Sequence, residues 1–431
     1  MDTSSLTKRK NMVTNELQEL IFEAAKKKET LIFQPGIYHT GPLFLPSHSH
    51  ICFEENSILV ASQEDKDYPL IPTRIAGIEM KGYPGILNIL YAEDVTLKGP
   101  LLLNGEGDKW YQKYWGKDTK GGMRKEYEKR GMRWASDYDC YRPKNILIQN
   151  SHDITLDGLS LISSPFWNLH VLYSHDIKLL NLLIRSDNPN SPSTDGIDID
   201  SSKDILIKGC RISTNDDAIS LKSGRDSDGL RVGIPSENIT IEDCAFHHGY
   251  GLSIGSELSG GINNIVGKNL NFFGSDCGFR IKSSPNRKGY VKNVSLSNIS
   301  MLDVRYPFYL YLNWNPHYNE LSLPKDFKGP IPDHYKKLLE KGNPSLKDTE
   351  ISHLRFSHID IQSTPGSNTP TTLFTFCGFP SSPINDVTFE DIKASVSDYG
   401  SFQNCEEPQI LSSDIEVTSH YHSKPGSFDN R

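Results

Sequence analysis

The side chains best suited to chemistry lie in the middle of the chain: Asp195, the pair Asp216 and Asp217, and the alternating cations Arg280 and Lys282. Carboxylates brought within a few ångströms of one another repel, and at least one has its pKa raised. The raised group donates a proton at neutral pH while its neighbours remain bases. Cleaving a glycosidic bond needs that division, with one acid for the leaving oxygen and a carboxylate to activate water. Arginine and lysine beside such a cluster hold an anionic group on the sugar. A single Asp in this composition marks a tight turn more often than a catalyst. A Ca²⁺ site is the other use of the same acids, and the nearby Lys222 and Lys282 argue against it, so no metal is expected.

These residues meet only if the chain stacks them. Four short alternating segments align: Ile197-Asp198-Ile199-Asp200, Ile219-Ser220-Leu221-Lys222, Leu252-Ser253-Ile254-Gly255 and Phe279-Arg280-Ile281-Lys282. Apolar first and third positions predict half-buried strands with Asp198, Ser220, Ser253 and Arg280 in one outward row. Asp200, Lys222, Gly255 and Lys282 form the row beside it, and Leu169-His170-Val171 turns His170 outward one segment earlier. Small residues precede the four strands (Gly196, Ala218, Gly251, Gly278), which predicts a bend or a close backbone approach. One place earlier stand Asp195, Asp217, Tyr250 and Cys277. Strict alternation points these inward, so the expectation is that the bend swings the acids out.

The scaffold that would stack them is written as a repeat. A ten-residue phrase, with Asp or Asn in second place and apolar residues at third, fifth, eighth and tenth, starts at Glu93, His152, His175, Lys203, Glu237, Asn263, Lys292, Ser352 and Asn385, with some positions relaxed. From His152 to Lys292 the starts fall 23, 28, 34, 26 and 29 residues apart. Units of that size bury their apolar faces only by stacking. Propeller blades and helical repeats run to roughly 34–45 residues, so short β-branched strands at this spacing predict a parallel β-helix with coils about 4.8 Å apart. Cys210 and Cys244 share the eighth place of adjacent copies and are expected to be buried interior residues.

Residues 14–27 (TNELQELIFEAAKK) open with capping residues and predict a helix over the first coil, with Leu17, Leu20, Ile21 and Ala24 on one stripe. Two stretches break the rhythm, residues 108–143 and 311–347; both are rich in aromatic and basic residues and are too long for turns. They are expected to be excursions over one face, giving one catalytic domain over 1–431. A charge of −8, from 46 basic and 54 acidic residues, offers no broad attraction for nucleic acid or anionic membranes. No apolar run has the roughly 18 residues that span a bilayer. The start of the chain lacks an apolar signal core, which gives the expectation of a cytoplasmic protein, or of a periplasmic or secreted one from which a signal has been removed. Seven scattered cysteines suit free thiols better than a disulfide framework.

Four ordered motifs then become recognisable. Ser193-Thr194-Asp195-Gly196, Asn215-Asp216-Asp217, Gly249-Tyr250-Gly251 and Arg280-Ile281-Lys282 resemble the Asn-Thr-Asp, Asp-Asp, Gly-His-Gly and Arg-Ile-Lys signatures of glycoside hydrolase family 28, the polygalacturonase family. The stretch from Lys222-Ser223-Gly224-Arg225-Asp226 to Asn238 looks like the exo-acting bacterial-type members. The resemblance implies an all-β, right-handed parallel β-helix of the pectin-lyase-like kind, and inverting hydrolysis without metal or organic cofactor. It implies Asp216 as general acid, Asp195 and Asp217 as the residues that position and deprotonate water, and Arg280 and Lys282 as binders of the galacturonate carboxylate. Tyr250, Lys222, His170 and Asp198 complete the expected substrate-binding set. Ser193 departs from the usual Asn, and Tyr250 from the usual His; His248 could stand in for that His only if the loop is redrawn.

The expected activity is exo-hydrolysis of terminal galacturonic acid from pectic oligosaccharides, including rhamnogalacturonan fragments. Trp110, Tyr111, Trp115, Trp134, Tyr309, Tyr311 and Trp314 are candidate sugar-stacking walls, or packing residues of the excursions. The alternatives are a β-helical, Ca²⁺-dependent pectate lyase and a pectin-binding β-helix that has lost catalysis through Tyr250.

Overall fold

The chain winds as a right-handed parallel β-helix, and the computed structural model describes residues 1–7, 11–319, 321–340, 342–343 and 345–418. An 18-stranded and an 11-stranded parallel sheet carry the coils, and one antiparallel hairpin, Ile71–Ile75 with Ile78–Gly82, stands apart. All nine copies of the phrase stack in one register: Glu93 pairs with His152, then His175, Lys203, Glu237, Asn263, Lys292 and Ser352, and Leu354 pairs with Val387. The third place therefore forms a continuous interior ladder running Val95, Ile154, Ile177, Ile205, Ile239, Ile265, Val294, Leu354, Val387, every member at most 3% exposed. Burying each such side chain stabilises the coil by about 1.5–3 kcal/mol. Cys210 and Cys244 lie in the eighth-place ladder, fully buried and free.

The polar places of the phrase have a backbone reason. In every copy the second residue, from Asp94 to Asp386, is left-handed, with φ between +50° and +58°. The seventh is left-handed too: Gly99, Gly158 and Gly209, with Asn181, Asp243, Asn269, Asn298, His358 and Asp391 between +53° and +58°. Asn and Asp tolerate this region better than other side chains with a Cβ. The phrase is thus a strand, a corner and a second strand. Along these corners the amides bond from coil to coil, as in Asn298 Nδ2 to Asn269 Oδ1 (3.0 Å) and Asn269 Nδ2 to Asp243 Oδ1 (2.7 Å).

The helix Thr14–Lys27 covers the first coil with Leu17, Ile21, Ala24 and Ala25 buried, while Leu20 is half-buried at the edge of the core. Its start lacks the expected side-chain cap, because Val13 takes the N-cap position; Thr14 Oγ1 instead accepts the Gly41 N–H at 2.8 Å. Gln18 closes the exposed edge of the sheet. Its amide accepts from Phe44 N (2.8 Å) and donates to Phe44 O (2.7 Å), as a neighbouring strand would.

Both excursions carry helices, Asp108–Trp115, Gly122–Lys129 and Ser136–Asp139 in the first, Pro316–Asn319 and Asp333–Leu339 in the second. Residues 320, 341 and 344 of the second, and 419–431 at the end, lie outside the described residues. The two excursions meet in a second apolar cluster, where Trp134 and Tyr138 join Tyr335 and Leu338, with Ile75 and Ile78 of the hairpin and Phe166 and Trp167 of the coil beneath. This cover corrects one expectation. The four strands expected to be half-buried, Ile197–Asp200, Ile219–Lys222, Leu252–Ile254 and Cys277–Lys282, are buried on both faces, because the hairpin and excursions sit on their outer side.

Candidate active site

The 11-stranded sheet sets one residue from each coil into a row. Its register pairs Ile146, Leu169, Ile197, Ile219, Leu252 and Phe279 in succession. Two residues before each stand Lys144, Trp167, Asp195, Asp217, Tyr250 and Cys277. The coils approach closely at the small residues between. A Cβ on Gly196 would lie 2.4 Å from the Ala218 carbonyl oxygen, and one on Gly251, at φ +60°, would lie 2.3 Å from the Gly278 oxygen. At this bend the acids turn towards the outward rows, as their contacts demonstrate. Asp217 accepts from Ser253 Oγ at 2.7 Å, is held by Lys282 Nζ at 2.8 Å and is ion-paired to Arg280, all three partners on later coils.

Asp195, Asp216 and Asp217 converge, with carboxylate oxygens within 4.8 Å of one another. Lys222 bridges the first of them to two further acids, 3.5 Å from Asp195, 3.5 Å from the fully buried Asp198 and 3.3 Å from Glu257, which also lines the cavity over the cluster. Burial and the neighbouring Asp217 raise the Asp216 carboxyl, against the pull of Lys282 and Arg280. Burial followed by the Asp216 and Asp198 charges pushes Asp195 well above the ordinary range. Asp217 goes the other way: burial opposes its charge, but Arg280, Lys282 and Lys222 outweigh burial and keep it ionised. The cluster therefore sets raised carboxyls beside a lowered one, the division that acid–base cleavage requires.

A cavity of about 170 Å³ opens over these acids, lined by Asp195, Asp216, Lys222, Tyr250, Arg280 and Lys282. The first excursion lines it with Arg124, Arg133 and Asp137 and the second with Trp314, Asn315 and Tyr318, the two meeting where the Arg133 guanidinium lies 5.7 Å from the Tyr318 ring; Ala76, in the hairpin turn, adds a further wall. A larger groove of about 1150 Å³ lies against the hairpin, Tyr91 and Tyr173, but none of the three acids faces it. Chemistry, not volume, singles out the smaller cavity.

Two expected binders are elsewhere. His170 and Asp198 are fully buried beneath the row, where the coil above and the excursions shut them off from the cavity. His170 Nε2 lies 3.4 Å from Asp200, and its ring meets Trp167 edge-on at 4.9 Å. Burial and the nearby Lys144 push its pKa down to about 3, so it is neutral. Asp198, pushed up to about 8 by burial against the pull of Lys222, underlies the site without facing substrate. Of the seven proposed aromatic walls, Trp314 alone lines the cavity. Trp110 packs on Tyr68 and Tyr83, Tyr111 donates to Ser164 O, Trp115 to Asn190 O and Trp134 to Ser322 O. Tyr309 and Tyr311 stack on each other at 5.6 Å, away from the cavity.

Tyr250 lies in the row with its ring 4.1 Å from the Arg280 guanidinium, and burial raises its hydroxyl pKa, so it is a neutral phenol. His248 is exposed and does not line the cavity. Sequence reasoning missed Trp167, Phe166 and Glu257. Trp167 was within reach, since following the Asp195 row back one coil lands on it; Lys222 lies 4.8 Å over its ring. Glu257, drawn down to about 2 by Lys222, Arg287 and Arg225 despite its burial, has no periodic signal. The spacing of the three acids also suits a metal ion, but an ion placed there would face Lys222, Arg280 and Lys282.

The chain is similar to known proteins in sequence and in fold. A probable polygalacturonase of Vitis vinifera is 28% identical over 326 residues, 73% of this chain and 62% of the relative. An endo-polygalacturonase of Pectobacterium carotovorum subsp. carotovorum is 29% identical over 279 residues, 63% of this chain and 64% of the relative. The chain thus spans a little under two thirds of the length of these relatives. The crystal structure of a hyperthermoactive exopolygalacturonase from Thermotoga maritima shares the fold, with a TM-score of 0.73 and 23% identity, covering 95% of this chain and 91% of that one. The family model for glycosyl hydrolases family 28 matches residues 72–322, a span that holds every residue lining the cavity. The chain belongs to glycoside hydrolase family 28.

Proposed function

We propose that the chain is an exo-acting hydrolase that removes terminal α-linked galacturonic acid from pectin-derived oligosaccharides. The observation that carries the reading is the meeting of Asp195, Asp216 and Asp217 beside a sugar-sized cavity that Asp195 and Asp216 line, with Asp216 raised and the buried Asp217 held ionised. Asp216, the most accessible of the three, donates its proton to the glycosidic oxygen as the C1–O bond breaks. Water attacks C1 and passes its proton to the Asp195–Asp217 pair. Arg280 and Lys282 bind substrate, and Tyr250 fixes the Arg280 plane by stacking.

Exo action is supported by the walls. A cavity of about 170 Å³ is below the roughly 300–1,000 Å³ of a drug-sized site and suits about one ring, not a chain running through. Inversion rests on the family resemblance, since oxygens within 4.8 Å are closer than the roughly 6.5–9.5 Å usual in inverting pairs. A time course on polygalacturonan tests the reading. Galacturonic acid should be released from the outset, with the β-anomer formed first by proton NMR. A ladder of oligomers replaces exo with endo action, and unsaturated, ultraviolet-absorbing ends with chelator sensitivity indicate a lyase. A second reading, a β-helix that binds pectin without cleaving it, is favoured by the uncharged Tyr250 in the family's histidine position. Binding without turnover on any pectic fragment would establish it.

A further inference from the structure

We infer that Arg124 reads the carboxylate of the sugar held in the cavity, and so sets a preference for a free-acid terminal uronate; this rests on the function proposed above. Arg280 and Lys282 are both committed to Asp217, and Lys222 is shared among Asp195, Asp198 and Glu257. Arg133, across the cavity, is neutralised by Asp137 at 3.1 Å, and Asp137 is itself 3.6 Å from Arg142. Each of these cations already faces a carboxylate of the protein, so an incoming uronate must share it with that carboxylate. Arg124 differs. It is half-buried on the helix Gly122–Lys129, lines the cavity, and has no ion pair or hydrogen bond among the described residues.

Its position gives the direction of binding. The first excursion precedes the strand Lys144–Gln149, so it enters from the N-terminal side of the coils bearing Asp195 and Asp217. Arg280 and Lys282 approach from the C-terminal side. A ring between them meets the acids at its scissile end and the Arg124 fork at the opposite wall. A guanidinium matches a carboxylate by two parallel hydrogen bonds, a pairing that a methyl ester or a primary alcohol cannot accept.

The test compares the parent enzyme with Arg124→Gln and Arg124→Lys on two substrates: digalacturonic acid, and the same disaccharide methyl-esterified on its non-reducing ring. The parent should favour the free acid by about 10- to 100-fold in kcat/KM. Arg124→Gln should lose most of that ratio through the free acid alone, with the ester changing less than about twofold. Arg124→Lys should restore part of it as a point charge. A parent without preference, or an Arg124→Gln variant that keeps the parent ratio, overturns the assignment while leaving the hydrolase reading intact. A parent inactive on both disaccharides and on longer galacturonides removes the reading beneath it.

Discussion

Replacing Lys282 by Met should move the acid limb of the pH–rate profile upward, because Lys282 is one of the three cations that keep Asp217 ionised. At the observed 2.8 Å, a unit charge pair is worth about 6 kcal/mol at an effective dielectric of about 20, and about 1.5 kcal/mol at about 80. Divided by the roughly 1.36 kcal/mol of one pH unit, that is about 1–4 units. Arg280 remains, so Asp217 stays below the ordinary carboxylate value of about 3.9 but approaches it. The sign follows from its depressed native pKa. Asp217 stabilises the fold above its unfolded value and loses that contribution as pH falls through its folded value. In Lys282→Met the contribution shrinks, and both acid unfolding and the acid limb of kcat/KM should shift up by at least about one unit. The assay is the ratio of variant to parent kcat/KM on one oligogalacturonide across pH, so that titration of the substrate cancels. An acid limb and an acid-unfolding midpoint that both stay where the parent's lie would refute the role of Lys282 in holding Asp217 charged.

Asp216→Asn should lower kcat by about 10²–10⁴-fold while thermal unfolding is unchanged, as expected for a general acid; undiminished release of galacturonic acid would remove Asp216 from that role. Arg74→Met strands Asp200, which burial opposes but Arg74, at 2.8 Å, draws down to about 2. Denaturant unfolding should reveal a loss of about 3–5 kcal/mol, largely recovered in the double variant with Asp200→Leu. Asn298→Val forces a β-branched residue into φ +54° and should cost about 1–2 kcal/mol, read by calorimetry as a fall of only about 1–2 °C in so long a chain. Asn298→Gly, which keeps the corner, should cost less.

The parts of the molecule legible in its sequence are those set by neighbours in the same column of the stack. The phrase gave its register without error from Glu93 to Asn385 because a one-residue slip would turn every apolar side chain of the copy to the wrong face. Asp195, Asp217, Tyr250 and Cys277 lined up for the same reason. What escaped depends on contacts between distant segments. Arg74 reaches Asp200 across 126 residues, and no periodicity ties the hairpin to the coil it covers. Alternation tells which face of a strand His170 and Asp198 occupy, but not whether an excursion lies upon that face. The aromatic residues of the excursions mostly pack against one another, a distinction their composition does not carry.

The left-handed corners at the second and seventh places fix where each coil can change length. Two strands and their corners form a rigid tread whose residue count cannot vary without breaking register. Both excursions accordingly flank strands of the other sheet, at Lys144–Gln149 and Tyr306–Tyr311, and both converge above the acids. Scaffold and selectivity are thereby separated within one chain. Insertions can remodel the mouth of the cavity, changing which sugars enter, while the spine that spaces the carboxylates keeps its pitch.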